Sequence, residues 1–301
     1  MTFSFAFGES GDGPTGALDS TIPLLRGDPM EFLMADAVPA GRQGSVSLWR
    51  GSGGLAGIFQ GDPAEDLEGA TQRAYADILR AARGLNLYRM WNVVPRINDQ
   101  GPGGIENYRA FCRGRSLAFE AGLGTEFQRR LPAASAVGSA HPQLTIVFVA
   151  GTDEARHVEN PGQVPAYQYP PEHGPRPPSF ARATVVAHGD RLDAYISGTS
   201  SISGHATVSP HDTPGQLACT FENLRLVSSA CGLGERLGAG GGGTRHFKVF
   251  LRNAADLQVV APAVDRSLLV PTDRVSYLRA DICRSELNVE VEVALRGADR
   301  S

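Results

Sequence analysis

Alternating apolar and polar positions are clearest near the C-terminus of the chain. The apolar residues there are Leu287, Val289, Val291 and Val293, and the residues between them are Asn288, Glu290 and Glu292. Successive side chains of a strand point to opposite faces, so the pattern predicts a strand with one apolar face and one face that carries two carboxylates. A solvent-facing carboxylate face is the ordinary interpretation of such a strand.

A second strand-like run, residues 277–283, precedes this one. Strand alternation places Arg279, Asp281 and Cys283 on one face of it. Where the two runs meet, we expect a cation, a thiol and a carboxylate to converge. That combination suits acid catalysis on an anionic substrate.

The first half of the chain predicts a mixed order of elements. A strand over 45–51 precedes Asp62-Pro63-Ala64-Glu65, which has the form of a capping box and predicts a helix to about residue 85. A strand over 87–94, a helix over about 105–121 and two short strands near 134–137 and 144–149 follow.

The second half predicts the same order. Strands over 183–187 and 192–197 precede a capping box, Thr213-Pro214-Gly215-Gln216, and its helix. A strand over 247–251, a short helix near 254–257 and the two C-terminal strands complete it. Two such repeats predict an α+β fold of two tandem units, 1–152 and 153–301, with mixed sheets and helices packed on one face.

Aligning the two halves sets residues 143–147 against 286–290. Val147 then stands opposite Glu290, Ala136 opposite Arg279 and Ala140 opposite Cys283. The first copy therefore lacks all three reactive groups of the second. A site kept in one copy of a duplicated fold explains this difference better than solvent-facing carboxylates do.

Composition excludes several classes of protein. The formal net charge is −4 and the pI about 6.0, which argues against nucleic-acid or membrane partners. No apolar stretch approaches the ~20 residues of a membrane span, and the first residues lack the pattern of a signal peptide. The four cysteines have no paired CxxC spacing and the histidines no HExxH motif. We therefore expect a cytoplasmic protein with reduced thiols and no metal.

Two further segments carry candidate binding residues. Tyr108 and Arg115 share a face of the second predicted helix if it continues through Gly114, and arginine binds carboxylates bidentately. A solvated basic face is the alternative. The proline-rich stretch 160–180 contains Tyr167 and is either a linker or a loop that lines a pocket.

Five motifs together resemble the chorismatases. They are Tyr88-Arg-Met-Trp-Asn-Val-Val-Pro-Arg-Ile-Asn98, Tyr108-Arg-Ala-Phe-Cys-Arg-Gly-Arg115, Gly174-Pro-Arg-Pro-Pro-Ser-Phe-Ala-Arg-Ala183, Ile196-Ser-Gly-Thr199 and Asp281-Ile-Cys-Arg-Ser-Glu-Leu287. The resemblance runs from about residue 45 to the end. It implies two fused Rid (YjgF-like) units, the first of them degenerate. The run Val289-Glu-Val-Glu-Val293, at the end of the second unit, is similar to the end of the small Rid proteins.

The resemblance also implies a mechanism that needs no cofactor. Glu290 matches the catalytic glutamate, which delivers a proton to the enolpyruvyl ether of chorismate from a carboxyl whose pKa burial has raised. Tyr108, Arg115 and Arg279 are expected to hold the two carboxylates of this small-molecule substrate, and Tyr167 to line the pocket.

The family has two branches, and Cys283 implies the one that forms 3-hydroxybenzoate and pyruvate. The other branch hydrolyses chorismate to a dihydroxycyclohexadiene carboxylate and pyruvate. Ser200 departs from the smaller residue expected in the first branch. A non-catalytic binder of small carboxylates and a Rid-type imine deaminase are the remaining alternatives. The retained Glu290 and Cys283 argue against the binder, and the length of two units argues against the deaminase.

Overall fold

The computed structural model describes residues 3–8 and 18–299, so residues 1–2 and 9–17 of the first predicted unit and 300–301 of the second lie outside the described residues. The helices in the described part are α1 (Leu67–Ala81), α2 (Asn107–Leu123), α3 (Thr213–Cys231) and α4 (Leu257–Ser267). No helix there is long and apolar enough to cross a membrane.

The strands fall on either side of α2 along the chain. Those before it are β1 (Phe3–Ala6), β2 (Leu18–Asp19), β3 (Leu24–Gly27), β4 (Met30–Met34), β5 (Val38–Gln43), β6 (Val46–Gly51), β7 (Gly54–Gly61) and β8 (Asn86–Pro95). Those after it are β9 (Ala133–Ser139), β10 (Leu144–Gly151), β11 (Ala155–Val158), β12 (Ala183–His188), β13 (Arg191–Thr199), β14 (Ile202–Ser203), β15 (Ala206–Thr207), β16 (Thr244–Leu251), β17 (Arg274–Arg279), β18 (Asp281–Ile282) and β19 (Val289–Asp299).

Two seven-stranded sheets share one topology. The first has the order β18-β9-β8-β10-β7-β6-β5 and the second β11-β12-β13-β19-β16-β17-β3. When the second order is reversed, β9-β8-β10-β7-β6 of the first sheet corresponds to β17-β16-β19-β13-β12 of the second. Each of these series contains one parallel pair, β8 with β9 in the first and β16 with β17 in the second. The predicted repeat and the α+β class with mixed sheets are therefore confirmed.

Strand register supports the alignment of the two halves. Val147 pairs with Trp91 in the first sheet, and Glu290 pairs with Phe250 in the second. One residue further along these inner strands, Ala136 pairs with Asn92, just as Arg279 pairs with Leu251. Val147 and Glu290 therefore occupy the same position in the two sheets.

The two large sheets and the four helices of the described residues form four layers, with the helices outside and the sheets face to face inside. The valines of β19 pack with α3 and α4, and the even-numbered residues of β10 pack with α1 and α2. The opposite faces of the sheets meet in one apolar cluster that includes Val147 and Phe250. Glu290 and Glu292 lie on this inner face and are only 3% and 1% exposed, so the solvent-facing interpretation of the strand is wrong.

The predicted capping boxes are wrong in detail. Ala64 has a φ of +50°, which a helix cannot contain, and α1 begins later, where the Asp66 carboxylate accepts the Gly69 amide at 2.7 Å. At α3, the Gln216 amide donates to the carbonyl oxygens of Ser209 and Glu286 instead of reaching back to the cap. The short helix predicted near 254–257 continues to Ser267 with Pro262 inside it.

The run 277–283 does not form one strand. β17 ends at Arg279, and after Ala280 the chain moves to the first sheet, where β18 pairs with β9. In return, β3 of the N-terminal half pairs with β17 of the second sheet. Both pairings join a strand from before residue 152 to a strand from after it. The predicted domain boundary at residue 152 stays a prediction.

Candidate active site

A cavity of about 380 Å³ lies between the two sheets, beneath the proline-rich loop. Its walls come from α2, β9, β13, β19, the loop 169–182 and the connection between β18 and β19. The charged and polar lining side chains are Glu106, Tyr108, Arg109, Arg115, Ser135, Tyr169, Glu172, His173, Arg182, Ser200, Cys283, Arg284, Ser285, Glu286 and Glu290. The alternative in which residues 160–180 line a pocket is therefore correct.

Glu290 presents an incompletely paired carboxyl group to this cavity. Its Oε2 accepts a hydrogen bond from the Ser200 hydroxyl at 3.3 Å, and its Oε1 has no hydrogen-bond partner among the described residues. Burial and the nearby charge of Glu292 raise the pKa of Glu290 to about 8. A Cβ at Gly198 would lie 2.1 Å from Oε1, so only glycine leaves room for the carboxyl group there.

Glu292 is placed equally deep but is fully paired. It accepts hydrogen bonds from Arg89, from Ser135 and from the Trp91 indole at 2.9 Å. The Lys248 ammonium lies 2.5 Å from its Oε1. Burial alone would raise the pKa of Glu292, but Arg89 and Lys248 outweigh it and lower the pKa. Glu292 is therefore a fixed negative charge beside Glu290.

The ion pairs continue beyond Glu292. The Lys248 ammonium also lies 2.6 Å from Oε2 of Glu31, which is itself buried on β4. Burial would raise the pKa of Glu31, yet Lys248 and His246 lower it well below its ordinary value. Lys248, the only lysine in the sequence, thus bridges two buried carboxylates.

Three arginines of the cavity have no carboxylate partner within ion-pair distance in the described part of the chain. Arg115 is 1% exposed, its guanidinium lies 4.9 Å from the Phe111 ring, and its Nε has no hydrogen-bond partner. Arg182 donates to the Tyr169 hydroxyl at 2.8 Å. Arg284 donates to Thr207 and to the carbonyl of His205. Buried cations without counter-charges are costly, so the cavity is suited to an anion.

Tyr108 and Arg115 reach the cavity together because α2 continues through Gly114. A Cβ at Gly114 would lie 2.2 Å from the carbonyl oxygen of Glu68, so glycine lets α1 and α2 pack closely there. Burial raises the pKa of the Tyr108 phenol well above its ordinary value. Burial and the neighbouring Glu290 raise the pKa of the Cys283 thiol to about 12, so the thiol is neutral at pH 7.

Two of the predicted site residues lie outside the cavity lining. Tyr167 packs against the core between the first sheet and its helices, and Tyr169 lines the cavity instead. The Arg279 guanidinium is 42% exposed and lies 3.7 Å from Asp281, because the chain changes sheets directly after it. The structure thus brings together Tyr108, Arg115, Cys283 and Glu290.

Sequence reasoning missed two arginines of the cavity lining, Arg182 and Arg284. Arg182 lies in the motif Gly174–Ala183 and Arg284 in the motif Asp281–Leu287, both of which had been singled out. Their presence within these motifs is the sequence feature that could have marked both arginines as site candidates. Nothing in the sequence, however, indicated that the two side chains point into the cavity that holds Glu290.

Comparisons with known proteins show what this chain is similar to. The family model "Chorismatase FkbO/Hyg5-like, N-terminal" matches residues 31–150. A "3-hydroxybenzoate synthase" of Streptomyces hygroscopicus is 38% identical over 234 residues, which cover 74% of this chain and 68% of that protein. A "Chorismatase" of the same organism is 34% identical over 262 residues, which cover 85% and 75%.

A solved structure extends the agreement to nearly the whole fold. A chorismatase crystal structure matches 98% of this chain and 92% of its own chain, with a TM-score of 0.82 and 28% identity. The sequence relatives cover most of both chains, and the structural match includes both sheets and their helices. The chain therefore belongs to the chorismatase family.

Proposed function

We propose that this protein converts chorismate to 3-hydroxybenzoate and pyruvate, with Glu290 as general acid and base. One observation carries the proposal: a buried carboxyl group with a raised pKa and an unpaired oxygen shares a cavity with three arginines that have no carboxylate within ion-pair distance among the described residues. The name of the 38% identical relative, 3-hydroxybenzoate synthase, supports the choice of product. The four free cysteines support a reducing compartment, and we propose the cytoplasm.

Substrate binding follows from the charges of the cavity. Chorismate carries one carboxylate on its ring and one on its enolpyruvyl group, and the cavity holds Arg115, Arg182 and Arg284. Each arginine can bind a planar carboxylate through two parallel hydrogen bonds. Tyr108, with its phenol protonated, contributes a further hydrogen-bond donor. The two ends of the substrate are thereby fixed on either side of Glu290.

Proton delivery follows from the contrast between the two glutamates. With a pKa of about 8, Glu290 is mostly protonated at pH 7 and delivers its proton to the enolpyruvyl group as that group departs. The neighbouring ring hydroxyl oxygen bonds to the carbon that is vacated, and its proton goes to the Glu290 carboxylate. The arene oxide so formed opens and aromatises to 3-hydroxybenzoate. Chorismate supplies every atom of the two products, so no water is consumed.

The hydrolytic branch is the second candidate, and one contact favours it. The Ser200 hydroxyl donates to Glu290 and adds a polar group beside the reacting carboxyl, where a water molecule would attack in hydrolysis. Against this stands Cys283, whose neutral thiol packs with Ile202, Ile282 and Leu287 on the same side of the cavity. A thiol behaves as a small hydrophobe, which disfavours water at that wall.

Incubation of the protein with chorismate tests the proposal. Products are separated by chromatography, and pyruvate is measured by coupled reduction. Equimolar 3-hydroxybenzoate and pyruvate are expected, with neither formed by the Glu290→Gln variant. The non-aromatic diol in place of 3-hydroxybenzoate would establish the hydrolytic branch. Tight binding of chorismate without pyruvate release would contradict the enzymatic proposal and favour a binding protein.

A further inference from the structure

Three potential metal ligands meet beside the cavity, and two of them belong to its lining. They come from two segments: Glu172 and His173 from the short 3-10 helix Pro171–His173, and His205 from the turn between β14 and β15. Nε2 of His173 and Nδ1 of His205 are 3.1 Å apart, and Oε1 of Glu172 lies 3.6 Å from each nitrogen. Within the described residues, this is the one group of three such side chains whose ligand atoms all lie this close together.

The spacing fits the coordination shell of a transition metal. Zn²⁺ binds imidazole nitrogen at about 2.0–2.1 Å and carboxylate oxygen at about 2.0–2.2 Å, so neighbouring ligand atoms of a tetrahedral site are about 3.3–3.5 Å apart. The triangle of 3.1, 3.6 and 3.6 Å needs shifts of only a few tenths of an ångström to match. Two imidazoles and one carboxylate also favour Zn²⁺ over Mg²⁺ and Ca²⁺, because the latter two ions prefer oxygen ligands alone.

The two ligand-bearing segments are held in place by the fold. The Tyr169 ring packs on both imidazoles, with centroids 5.1 Å from His173 and 6.3 Å from His205. Arg284 donates to the backbone carbonyl of His205 at 2.9 Å, and a bridge between Gln163 and Gly204 ties the turn to the proline-rich loop. The two imidazoles are therefore preorganised, which lowers the entropic cost of binding an ion, whereas the Glu172 side chain is 66% exposed and closes on the ion from the solvent side.

We propose that Glu172, His173 and His205 form a site for a divalent transition metal ion of the zinc class, and that an ion bound there inhibits the enzyme. Glu172 and His173 line the cavity, whereas His205 does not. An ion held by three protein ligands keeps an open coordination position. Facing the cavity, that position captures a carboxylate of the entering substrate before it reaches Arg115 and Glu290.

Binding is tested first, without turnover. Zn²⁺ is titrated into the metal-free protein by calorimetry, and Co²⁺ is followed by its visible absorption, which reports nitrogen ligation in a site of low coordination number. One ion per chain is expected. Glu172→Gln and His205→Ala should each weaken Zn²⁺ binding by at least about 100-fold, because even loss of a partner outside the ligand shell costs about 10- to 100-fold. His141→Ala, another partly exposed histidine in a turn, is the matched control and should bind like the wild type.

Inhibition is tested second, with chorismate turnover as the readout. Saturating Zn²⁺ should lower kcat/KM of the wild type and of His141→Ala, and a chelator should restore it. His205→Ala should have the kcat/KM of the metal-free wild type and resist Zn²⁺. Equal Zn²⁺ affinity in His205→Ala, Glu172→Gln and the wild type would overturn the site. If His205→Ala abolishes Zn²⁺ binding but saturating Zn²⁺ leaves wild-type turnover unchanged, the inhibitory role is overturned. The inhibitory role rests on the proposed function, so a protein that binds Zn²⁺ as expected but releases no pyruvate would overturn both of these and leave the metal site standing.

Discussion

Strands β10 and β19 occupy the same position in two sheets of the same topology, yet their inner faces differ in chemistry. Val147 and Val149 of β10 are buried in the apolar cluster between the sheets, where β19 carries Glu290 and Glu292. The groups that compensate these carboxylates come largely from the first sheet, which supplies Arg89, Trp91 and Ser135. The first sheet therefore has valines where the second has carboxylates, and it supplies charge and hydrogen bonds to one of them, Glu292.

A second comparison, within β19, shows how one strand holds two carboxyl groups in different states. Glu292 has four donors around it and a lowered pKa, whereas Glu290 has one hydroxyl donor and a pKa raised to about 8. Two carboxyl groups whose pKa values are driven apart by their surroundings commonly divide the roles of proton donor and fixed charge.

The largest effect is expected from Glu290→Gln. The amide is nearly isosteric but cannot donate an acidic proton, so kcat should fall by about 10²- to 10⁴-fold, the usual contribution of general acid–base catalysis. Binding of a benzoate analogue, measured by calorimetry, should persist and serves as the control for folding. Near-wild-type pyruvate release would remove Glu290 from the mechanism.

The unpaired arginines should control substrate affinity. Arg115→Ala and Arg182→Ala should each raise KM for chorismate, because a charge-assisted hydrogen bond contributes about 1.5–3 kcal/mol. Arg113→Ala is the matched control on the same helix, since Arg113 is partly exposed and pairs with Glu68 at 3.2 Å. Steady-state kinetics of the three variants gives the comparison.

Arg279 sharpens the assignment of the carboxylate-binding groups. Its side chain lies outside the cavity lining, so Arg279→Ala should leave KM near the wild-type value. A rise in KM that matches the one in Arg115→Ala would restore the sequence-based assignment of Arg279 as a substrate ligand.

Stability should depend on pH through Glu290. A carboxyl group whose pKa rises from 4.5 to about 8 on folding binds more protons in the folded state, so stability decreases as the pH rises through this window. Relative to Glu290→Gln, the wild type should lose at most about 1.4 kcal/mol of unfolding free energy per pH unit. Denaturation midpoints of both proteins between pH 5 and about 9 measure this. Parallel curves would show that Glu290 is not protonated in the folded protein.

Activity should follow the same titration. In the proposed mechanism the acid form of Glu290 is the reactive one, so kcat of the wild type should decline as the pH rises through about 8. A pH–rate profile with no limb in that region would contradict the assignment of Glu290 as the proton donor.

The smallest expected change concerns product identity. Cys283→Ala should lower the share of 3-hydroxybenzoate more than it lowers pyruvate release, with the non-aromatic diol in its place, because the neutral thiol beside Glu290 disfavours water. Cys231→Ala, which removes a buried thiol from the core around α3, is the control for loss of packing alone. An unchanged product ratio in Cys283→Ala would mean that the thiol does not decide the branch.

The repeat, the alternation of β19 and the equivalence of Val147 and Glu290 are predictable from the sequence, because strand and helix periodicities are local properties of the chain. It also identified Tyr108 and Arg115, which needed only a continuous helix. These predictions depend on spacing along one element, and the structure places the residues accordingly.

The surroundings of those residues depend on the tertiary structure. Sequence alternation could not show that the carboxylate face of β19 meets a second sheet instead of water, or that Arg89, 203 residues away along the chain, pairs with Glu292. The placement of Arg279 outside the cavity and of Arg182 inside it likewise depends on where the chain changes sheets and how the proline-rich loop folds back. Burial and charge pairing set the pKa values, and both arise from contacts between residues that are distant in the sequence.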